Sequence, residues 1–204
     1  MKEKEFYIIM GRSGCGKGTQ SELFKSHLAQ SGIEKILHIT TGEGFRKLIN
    51  DDTYTSKNSK EITNKGGLNP EFLAIWNWSN IFINSLEGNE SVILDGAPRK
   101  EIEAKTLESA IDFYDYTKIT VIYLNVKKEW AIERLISRGR NDDNEKEEQE
   151  KKMKWFEDEV MPCVHLYKKM SEEHNDKYRF VEINGEQKIE DVQKEIIEKL
   201  NQPQ

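Results

Sequence analysis

Short apolar runs alternate along this chain with longer stretches in which apolar residues recur at helical spacing. The runs are rich in β-branched and aromatic residues, which is typical of buried strands. They lie at residues 6–10, 36–39, 92–94, 119–124 and 178–183. The longer stretches predict helices at residues 17–30, 44–50, 71–86, 100–113, 128–137, 145–169 and 187–200. Strands that alternate with helices form βαβ units, so we expect an α/β fold with a five-stranded parallel sheet and helices on both faces.

Two segments interrupt this alternation. Residues 51–65 are polar with little apolar periodicity, and residues 139–154 are almost wholly charged. Neither segment holds enough apolar residues for a core of its own. We therefore expect one domain over residues 1–204, in which both segments are excursions from the sheet.

Composition narrows the class of protein. A formal net charge of −6 argues against a nucleic-acid partner, and no apolar run approaches the roughly 20 residues of a membrane-spanning helix. The two cysteines, Cys15 and Cys163, form neither a zinc quartet nor a disulfide framework. We expect a cytoplasmic protein that binds neither nucleic acid nor membrane.

Most basic residues are lysine. Of the 31 Lys and Arg residues, seven are arginine: Arg12, Arg46, Arg99, Arg134, Arg138, Arg140 and Arg179. Arginine offers a planar fork of donors that matches phosphate or carboxylate oxygens. Each of these arginines is therefore a candidate for anion binding.

The most specific motif directly follows the first predicted strand. Residues 11–20 read GRSGCGKGTQ and precede a predicted helix. This is the context of a P-loop, in which backbone N–H groups and the helix N-terminus face phosphate oxygens, and Lys17 reaches the outer phosphates. The predicted cradle consists of Gly14, Cys15, Gly16, Lys17, Gly18 and Thr19. The motif predicts a three-layer P-loop fold that binds nucleotide phosphates.

The segment GKGTQ resembles the adenylate kinase and wider nucleoside monophosphate kinase family. Further motifs resemble that family in the same order: TTGEGFR at 40–46, GGLNP at 66–70, LDGAPR at 94–99, ERLISR at 133–138 and GRNDDN at 139–144. Six of the seven arginines fall inside motifs. The resemblance implies an ATP-dependent nucleoside monophosphate kinase, a monomer with two mobile lobes: an acceptor lobe at about 41–75 and a short lid at about 139–154.

The resemblance also implies roles for the motif residues. Lys17 and the P-loop hold the donor phosphates, Arg134 stacks on the donor base, and Arg138 also contacts the donor. The acceptor is held by Thr41, Arg46, Gly67, Leu68, Asn69, Gly96, Arg99, Glu103 and Arg140. The implied catalytic residues are Lys17, Arg99, Arg138, Arg140 and Lys152. Mg²⁺ is carried by phosphates and waters, with Asp95 in its outer shell and no direct protein ligand.

Glu103 departs from the family pattern. It stands where the family has a glutamine that reads adenine. An ionised carboxylate only accepts hydrogen bonds, so it favours base edges rich in donors, such as those of guanine or cytosine, without excluding adenine. The alternative is that Glu103 lies on a solvent-exposed helix surface.

Lys152 is the second departure, because it stands in place of a lid arginine if one residue is inserted in that helix. Either its charge serves the site, or it belongs to a solvated helix with the i, i+4 pairs Glu147–Lys151, Glu148–Lys152 and Glu150–Lys154.

AMP is the acceptor expected from the family, with UMP/CMP or guanylate as alternatives; the short lid without a cysteine pair resembles UMP/CMP kinases. A different class also stays open. It is a nucleotide-binding regulatory P-loop protein with weak or no transfer, which Lys152 and Glu103 would permit.

Overall fold

The computed structural model describes residues 4–139 and 145–203. The strands in these ranges are β1 (Phe6–Gly11), β2 (Ile36–Thr40), β3 (Ser91–Asp95), β4 (Ile119–Asn125) and β5 (Tyr178–Asn184). They form one sheet in the order β2-β3-β1-β4-β5, and every neighbouring pair is parallel. The predicted five-stranded parallel sheet is confirmed.

Helices connect the strands and extend beyond the last one. They are α1 (Lys17–Gln30), α2 (Thr41–Leu48), α3 (Tyr54–Asn64), α4 (Glu71–Ser85), α5 (Glu101–Phe113), α6 (Lys128–Arg138), α7 (Lys146–Trp155), α8 (Met161–Glu173) and α9 (Ile189–Asn201). A π-helical segment, Phe156–Val160, joins α7 to α8. Among the described residues, no helix is long and apolar enough to cross a membrane.

Both faces of the sheet are covered, because residues of β1 alternate between two apolar layers. Phe6, Ile8 and Met10 pack with residues of α4, α5 and α8, whereas Tyr7 and Ile9 pack with residues of α1, α6 and α9. Strands of a parallel sheet that is covered on both faces are buried along their whole length, as β1 and β3 are here. The predicted three-layer architecture is confirmed.

Helix α3 lies where the sequence indicates only a polar excursion. Its N-cap residue, Thr53, accepts a hydrogen bond from the Ser56 N–H at 3.0 Å. The residues that it buries are Ser56 and Ser59. The helix therefore carries no apolar stripe, which is why periodicity gave no sign of it.

The helix predicted over 145–169 is interrupted. Helix α7 ends at Trp155, the π-helical segment follows, and Pro162 lies in the first turn of α8. Because proline has no N–H, it cannot donate to the preceding turn, and the regular α-helical bonding is lost there. Helix α2 begins at Thr41, earlier than predicted, although it contains Gly42 and Gly44.

The strand order places a crevice beside β1. The chain passes from β1 to β2 and β3 on one side of the sheet, and then to β4 and β5 on the other. Ligands of open parallel sheets bind where the order reverses, at the carboxyl ends of the strands. Gly11 and Asp95 end β1 and β3 at that edge.

Candidate active site

The P-loop connects β1 to α1. Gly14 and Gly16 have φ values of 89° and 94°, a conformation that favours glycine. A Cβ on Gly14 would also lie 2.5 Å from the Ala131 carbonyl oxygen of α6. Gly16 is the N-cap of α1, and the first turn of that helix holds no acidic residue. The positive end of the α1 dipole therefore faces the loop without a competing carboxylate.

Lys17 folds over this loop. Its ammonium group donates to the carbonyl oxygens of Gly11 at 2.7 Å and of Arg12 at 2.8 Å. Cys15 is buried beside it, and burial raises the pKa of the Cys15 thiol although the Lys17 charge opposes that rise. The Cys15 thiol therefore stays neutral and serves in packing. The positive charge beside it is that of Lys17.

Asp95 is the buried carboxylate of the site. It is 4 % exposed and accepts a hydrogen bond from the Ser21 hydroxyl at 3.4 Å. Burial raises the pKa of Asp95, and the charges of Lys17, His38 and Arg99 counteract it. Asp95 thus lies within electrostatic reach of both the P-loop lysine and the arginine that follows its own strand.

Two arginines meet on the other side of Asp95. The Nε of Arg99 donates to the Gly96 carbonyl at 2.8 Å. Burial lowers the pKa of the Arg99 guanidinium; the Glu103 and Asp95 carboxylates oppose this shift, and the nearby charge of Arg46 adds to it. Because like charges held close together repel, a phosphate between Arg46 and Arg99 would be strongly stabilised.

Thr41 fixes the start of α2 against this arginine loop. Its hydroxyl lies 3.2 Å from the Asp95 carbonyl and 3.0 Å from the Gly96 carbonyl, and the amide of Asn77 donates to the Thr41 carbonyl at 2.9 Å. Gly96 has a φ of 83°. Thr41 and Gly96 therefore lie together beside Arg99.

These residues place a glycine-rich loop at a helix N-terminus on one side of Asp95 and a pair of arginines on the other. The sequence model of the adenylate kinase family matches residues 9–172, which span nearly all of these elements. The chain belongs to the adenylate kinase family.

Curated members of this family cover most of the chain. An adenylate kinase of Prochlorococcus marinus (strain MIT 9515) is 34 % identical over 168 residues, 82 % of this chain and 87 % of its own length. One from Azobacteroides pseudotrichonymphae genomovar. CFP2 is 31 % identical over 197 residues, 95 % of each chain. One from Corynebacterium urealyticum is 30 % identical over 185 residues, 91 % of this chain. As a member of the adenylate kinase family, the chain is a phosphotransferase enzyme.

Two further arginines of this adenylate kinase family member, Arg134 and Arg138, lie on α6. Arg134 is exposed on α6, and its guanidinium carbon is 4.7 Å from the centre of the Trp130 ring. Arg138 is exposed at the end of the same helix. Arg140, also predicted for the site, lies outside the described residues.

Lys152 is 6 % exposed on α7, so the interpretation of a purely solvated lysine is wrong. Its neighbours Lys151 and Lys154 are exposed and pair with Glu147 at 2.8 Å and Asp158 at 2.6 Å. Lys154 thus pairs with Asp158 and not, as predicted, with Glu150, which pairs with Lys128. Lys152 alone among these three lysines is turned inward.

Glu103 is 3 % exposed, so the alternative of a solvent-facing helix surface is also wrong. One carboxylate oxygen accepts from the Trp78 indole N–H at 3.2 Å and the other from the Arg99 backbone N–H at 2.7 Å. Burial raises the pKa of Glu103, and Arg99 and Trp78 oppose that rise. Glu103 therefore supports the Arg99 loop in addition to any contact with a base.

The GGLNP motif forms the turn between α3 and α4. The Gly67 N–H donates to the Ile62 carbonyl at 3.0 Å, and the Asn69 amide donates to the Thr63 hydroxyl at 3.2 Å. Leu68 is half-buried. The motif thus shapes this turn, and its first residue packs against α7, as described below.

No functional role was predicted for the loop after β5. Gly185 lies so close to the end of β4 that a Cβ there would be 2.5 Å from a Val126 methyl group. The Gln20 amide donates to the Ile189 carbonyl at 2.9 Å and ties α1 to this region. A cleft of about 750 Å³ is lined by Arg12, Asn125, Val126, Lys127, Glu182, Ile183, Asn184, Glu186, Glu195 and Lys199. The available signal was a glycine two residues after the strand predicted over 178–183.

The two remaining arginines, Arg12 and Arg179, donate hydrogen bonds to backbone carbonyl groups. Arg12 donates from Nε to the Val126 carbonyl at 3.0 Å and forms an ion pair with Glu157. Arg179 donates to carbonyl groups at the end of α9, among them those of Leu200 and Gln202, both at 2.8 Å. Arg179, the arginine outside every motif, caps a helix C-terminus.

Proposed function

We propose that this protein transfers the γ-phosphoryl group of ATP to a nucleoside monophosphate, giving two diphosphates, with AMP as the expected acceptor. The observation that carries the proposal is the order of charges across the carboxyl edge of the sheet. Lys17 and Arg99 each act on the buried Asp95, and Arg46 lies beside Arg99. A lysine that would bind the donor phosphates and two arginines that would bind the acceptor phosphate thus lie around one carboxylate.

This arrangement suits an in-line transfer. Phosphoryl transfer requires positioning and charge stabilisation more than covalent chemistry. Lys17 and the P-loop amides would hold the donor, while Arg46 and Arg99 fix the acceptor. An acceptor phosphate oxygen then attacks the γ-phosphorus, the bond to the bridging oxygen breaks, and ADP leaves. Because the acceptor oxygen is already anionic, no strong general base is needed.

The lid residues would complete the cation set. Arg138, Arg140 and the inward Lys152 are the candidates to approach the transferred group when the lid, about 139–154, closes over the donor. The acceptor lobe, about 41–75, would close over the monophosphate. Closure would exclude water, which would otherwise accept the phosphoryl group.

The residues also fit Mg²⁺ bound through phosphates. Within the described ranges, no group of three or more His, Cys, Asp or Glu side chains could hold a metal ion. Asp95 is suited to hold waters of such an ion, because it is buried near Lys17 and a Cβ on Gly18 would lie 3.8 Å from its Oδ2. When bound, Mg²⁺ would neutralise charge on the donor phosphates.

The identity of the acceptor base depends on Glu103. Its carboxylate accepts from the Trp78 indole N–H and the Arg99 backbone N–H and has further lone pairs for another donor. This favours guanine N1–H and N2–H₂ or cytosine N4–H₂ and also permits adenine N6–H₂. After AMP, GMP is therefore the acceptor that the free lone pairs of Glu103 favour. Of the UMP/CMP alternative, only CMP offers a comparable donor, the cytosine N4–H₂ group.

An acceptor panel tests the function. Purified protein is incubated with ATP, Mg²⁺ and one of AMP, GMP, CMP, UMP or dAMP, and diphosphate formation is followed. We expect diphosphate from AMP, and turnover of GMP above AMP would assign the guanylate alternative. ATP binding without diphosphate from any acceptor would reject the kinase in favour of a regulatory P-loop protein.

A further inference from the structure

Trp155 connects parts of the molecule that are far apart in sequence. It is the last residue of α7, and its indole N–H donates to the Gly66 carbonyl at 3.1 Å. The guanidinium carbon of Arg99 lies 5.6 Å from the centre of its ring. One side chain therefore contacts both the acceptor lobe and an arginine assigned to the acceptor phosphate.

The contact with Gly66 is a close backbone approach. Gly66 has a φ of 69°, and a Cβ there would lie 2.8 Å from the Glu148 carbonyl oxygen of α7. A glycine is needed for the turn and also for this packing. The turn between α3 and α4 thus meets α7 at two points, the backbone of Glu148 and the indole of Trp155.

The Arg99 side chain is oriented from two directions. Its Nε donates to the Gly96 carbonyl, and its guanidinium carbon lies over the Trp155 ring. Among the described residues, its terminal nitrogens make no hydrogen bond. Because a cation–π contact uses none of the N–H donors of the guanidinium, these nitrogens stay available for phosphate oxygens.

The residues that follow Trp155 contact the donor side. The Phe156 ring centre lies 4.4 Å from the guanidinium carbon of Arg12, and Glu157 pairs with the same arginine. Arg12 belongs to the P-loop. The start of the π-helical segment is therefore anchored independently, which fixes the position of Trp155 relative to the phosphate cradle.

We propose that Trp155 is a positioning residue for the acceptor phosphate: its indole joins the Gly66 turn to the Arg99 guanidinium and sets the plane of that guanidinium. The proposal rests on the proposed function, which assigns Arg99 to a monophosphate. Because Trp155 acts through Arg99 and not on the donor, it should determine the affinity for the acceptor and leave the affinity for ATP unchanged.

Two substitutions separate the contacts of Trp155. Trp155→Phe keeps an aromatic face and loses the N–H, whereas Trp155→Leu loses both. The matched control is Trp76→Leu, because Trp76 is a tryptophan that is 48 % exposed on α4. Dissociation constants for AMP and GMP, each without ATP, and for ATP alone are measured by calorimetry.

We expect Trp155→Leu to weaken monophosphate binding about tenfold and Trp155→Phe about two- to threefold, with ATP binding unchanged within about twofold. Trp76→Leu should bind both nucleotides like the wild type. Unchanged monophosphate binding in Trp155→Leu, or equal losses for ATP and monophosphate, would overturn the proposal. If Trp155→Leu does not fold, the selective loss in Trp155→Phe decides.

Binding without turnover keeps this test apart from that of the reaction. A wild type that binds monophosphate but forms no diphosphate would overturn the proposed transfer, and the Trp155 comparison would still be readable. A wild type that binds ATP but no monophosphate would overturn both.

Discussion

The donor side and the acceptor side of the site are built differently. On the donor side, β1, the P-loop and α1 are consecutive, and Lys17 bonds to carbonyl groups only five and six residues away. On the acceptor side, Glu103 bonds to Trp78, 25 residues distant, and Trp155 bonds to Gly66 across 89 residues. Local backbone geometry sets the first region and tertiary contacts set the second.

This difference separates general function from specificity. Glycines in left-handed conformations and a helix N-terminus leave little room for variation in the phosphate cradle. The acceptor side can change through a few side-chain pairs, such as Trp78 with Glu103, while the sheet stays the same. We therefore expect donor-side substitutions to abolish transfer and acceptor-side substitutions to shift affinity or preference.

The largest effect is expected at Lys17. Replacing it with methionine removes the P-loop cation and should lower kcat by about 10³-fold, with the unfolding free energy changed by about 1 kcal/mol or less. Lys105→Met, on the exposed side of α5, is the matched control and should keep kcat. Steady-state kinetics and urea unfolding measure both, and near-normal turnover of Lys17→Met would show that the P-loop assignment is wrong.

The next effect concerns the two kinds of arginine. Arg99→Lys keeps the charge and loses the fork, so the KM for the acceptor should rise about 10- to 100-fold while the KM for ATP changes little. Arg179→Lys removes donors from the end of α9 and should cost about 1 kcal/mol of stability without a kinetic effect. Equal KM values for the acceptor in the two variants would contradict the assignment of Arg99 to the acceptor and of Arg179 to stability.

Lys152 and Lys151 offer a comparison within one helix. Lys152→Gln should lower kcat about tenfold if its buried charge serves the transferred group. Lys151→Gln breaks an exposed i, i+4 pair and should cost about 0.3–0.5 kcal/mol or less, with kcat unchanged. Equal kcat values in both variants would assign Lys152 to packing alone.

The effect most specific to the acceptor side is expected from Glu103→Gln. An amide offers one acceptor where two N–H groups now find carboxylate oxygens, so stability should fall by about 1–3 kcal/mol. Preference among acceptors should move toward AMP. Trp78→Phe with Glu103→Gln should recover part of the lost stability, because the indole donor is then absent. A single variant as stable as the wild type would contradict the two hydrogen bonds.

The raised pKa of Glu103 also predicts how the stability of the protein changes with pH. Because burial raises that pKa in the folded state, the native protein binds this proton more tightly than the unfolded chain. Its contribution to stability therefore falls as the pH rises from the ordinary glutamate range through the raised pKa. Unfolding curves of Glu103→Gln should lack this component of the decline.

The sequence predicted most of the donor side, because a strand, glycines and a lysine in a short segment determine it. It also predicted every strand of the sheet, since each contains a short run rich in β-branched and aromatic residues. It missed α3, which buries serines, and the π-helical break before Pro162. The burial of Glu103 and Lys152 and the contacts of Trp155 depend on distant residues, which local patterns do not encode.

The most direct test of the account follows the transferred group itself. The wild type and Lys17→Met are incubated with Mg²⁺, AMP and ATP labelled at the γ-phosphate, and the labelled products are separated. The account predicts that the wild type places the label in the β-phosphate of the diphosphate made from AMP, in step with loss of ATP, and that Lys17→Met does not. Label released only as inorganic phosphate, or equal transfer by both proteins, would contradict it.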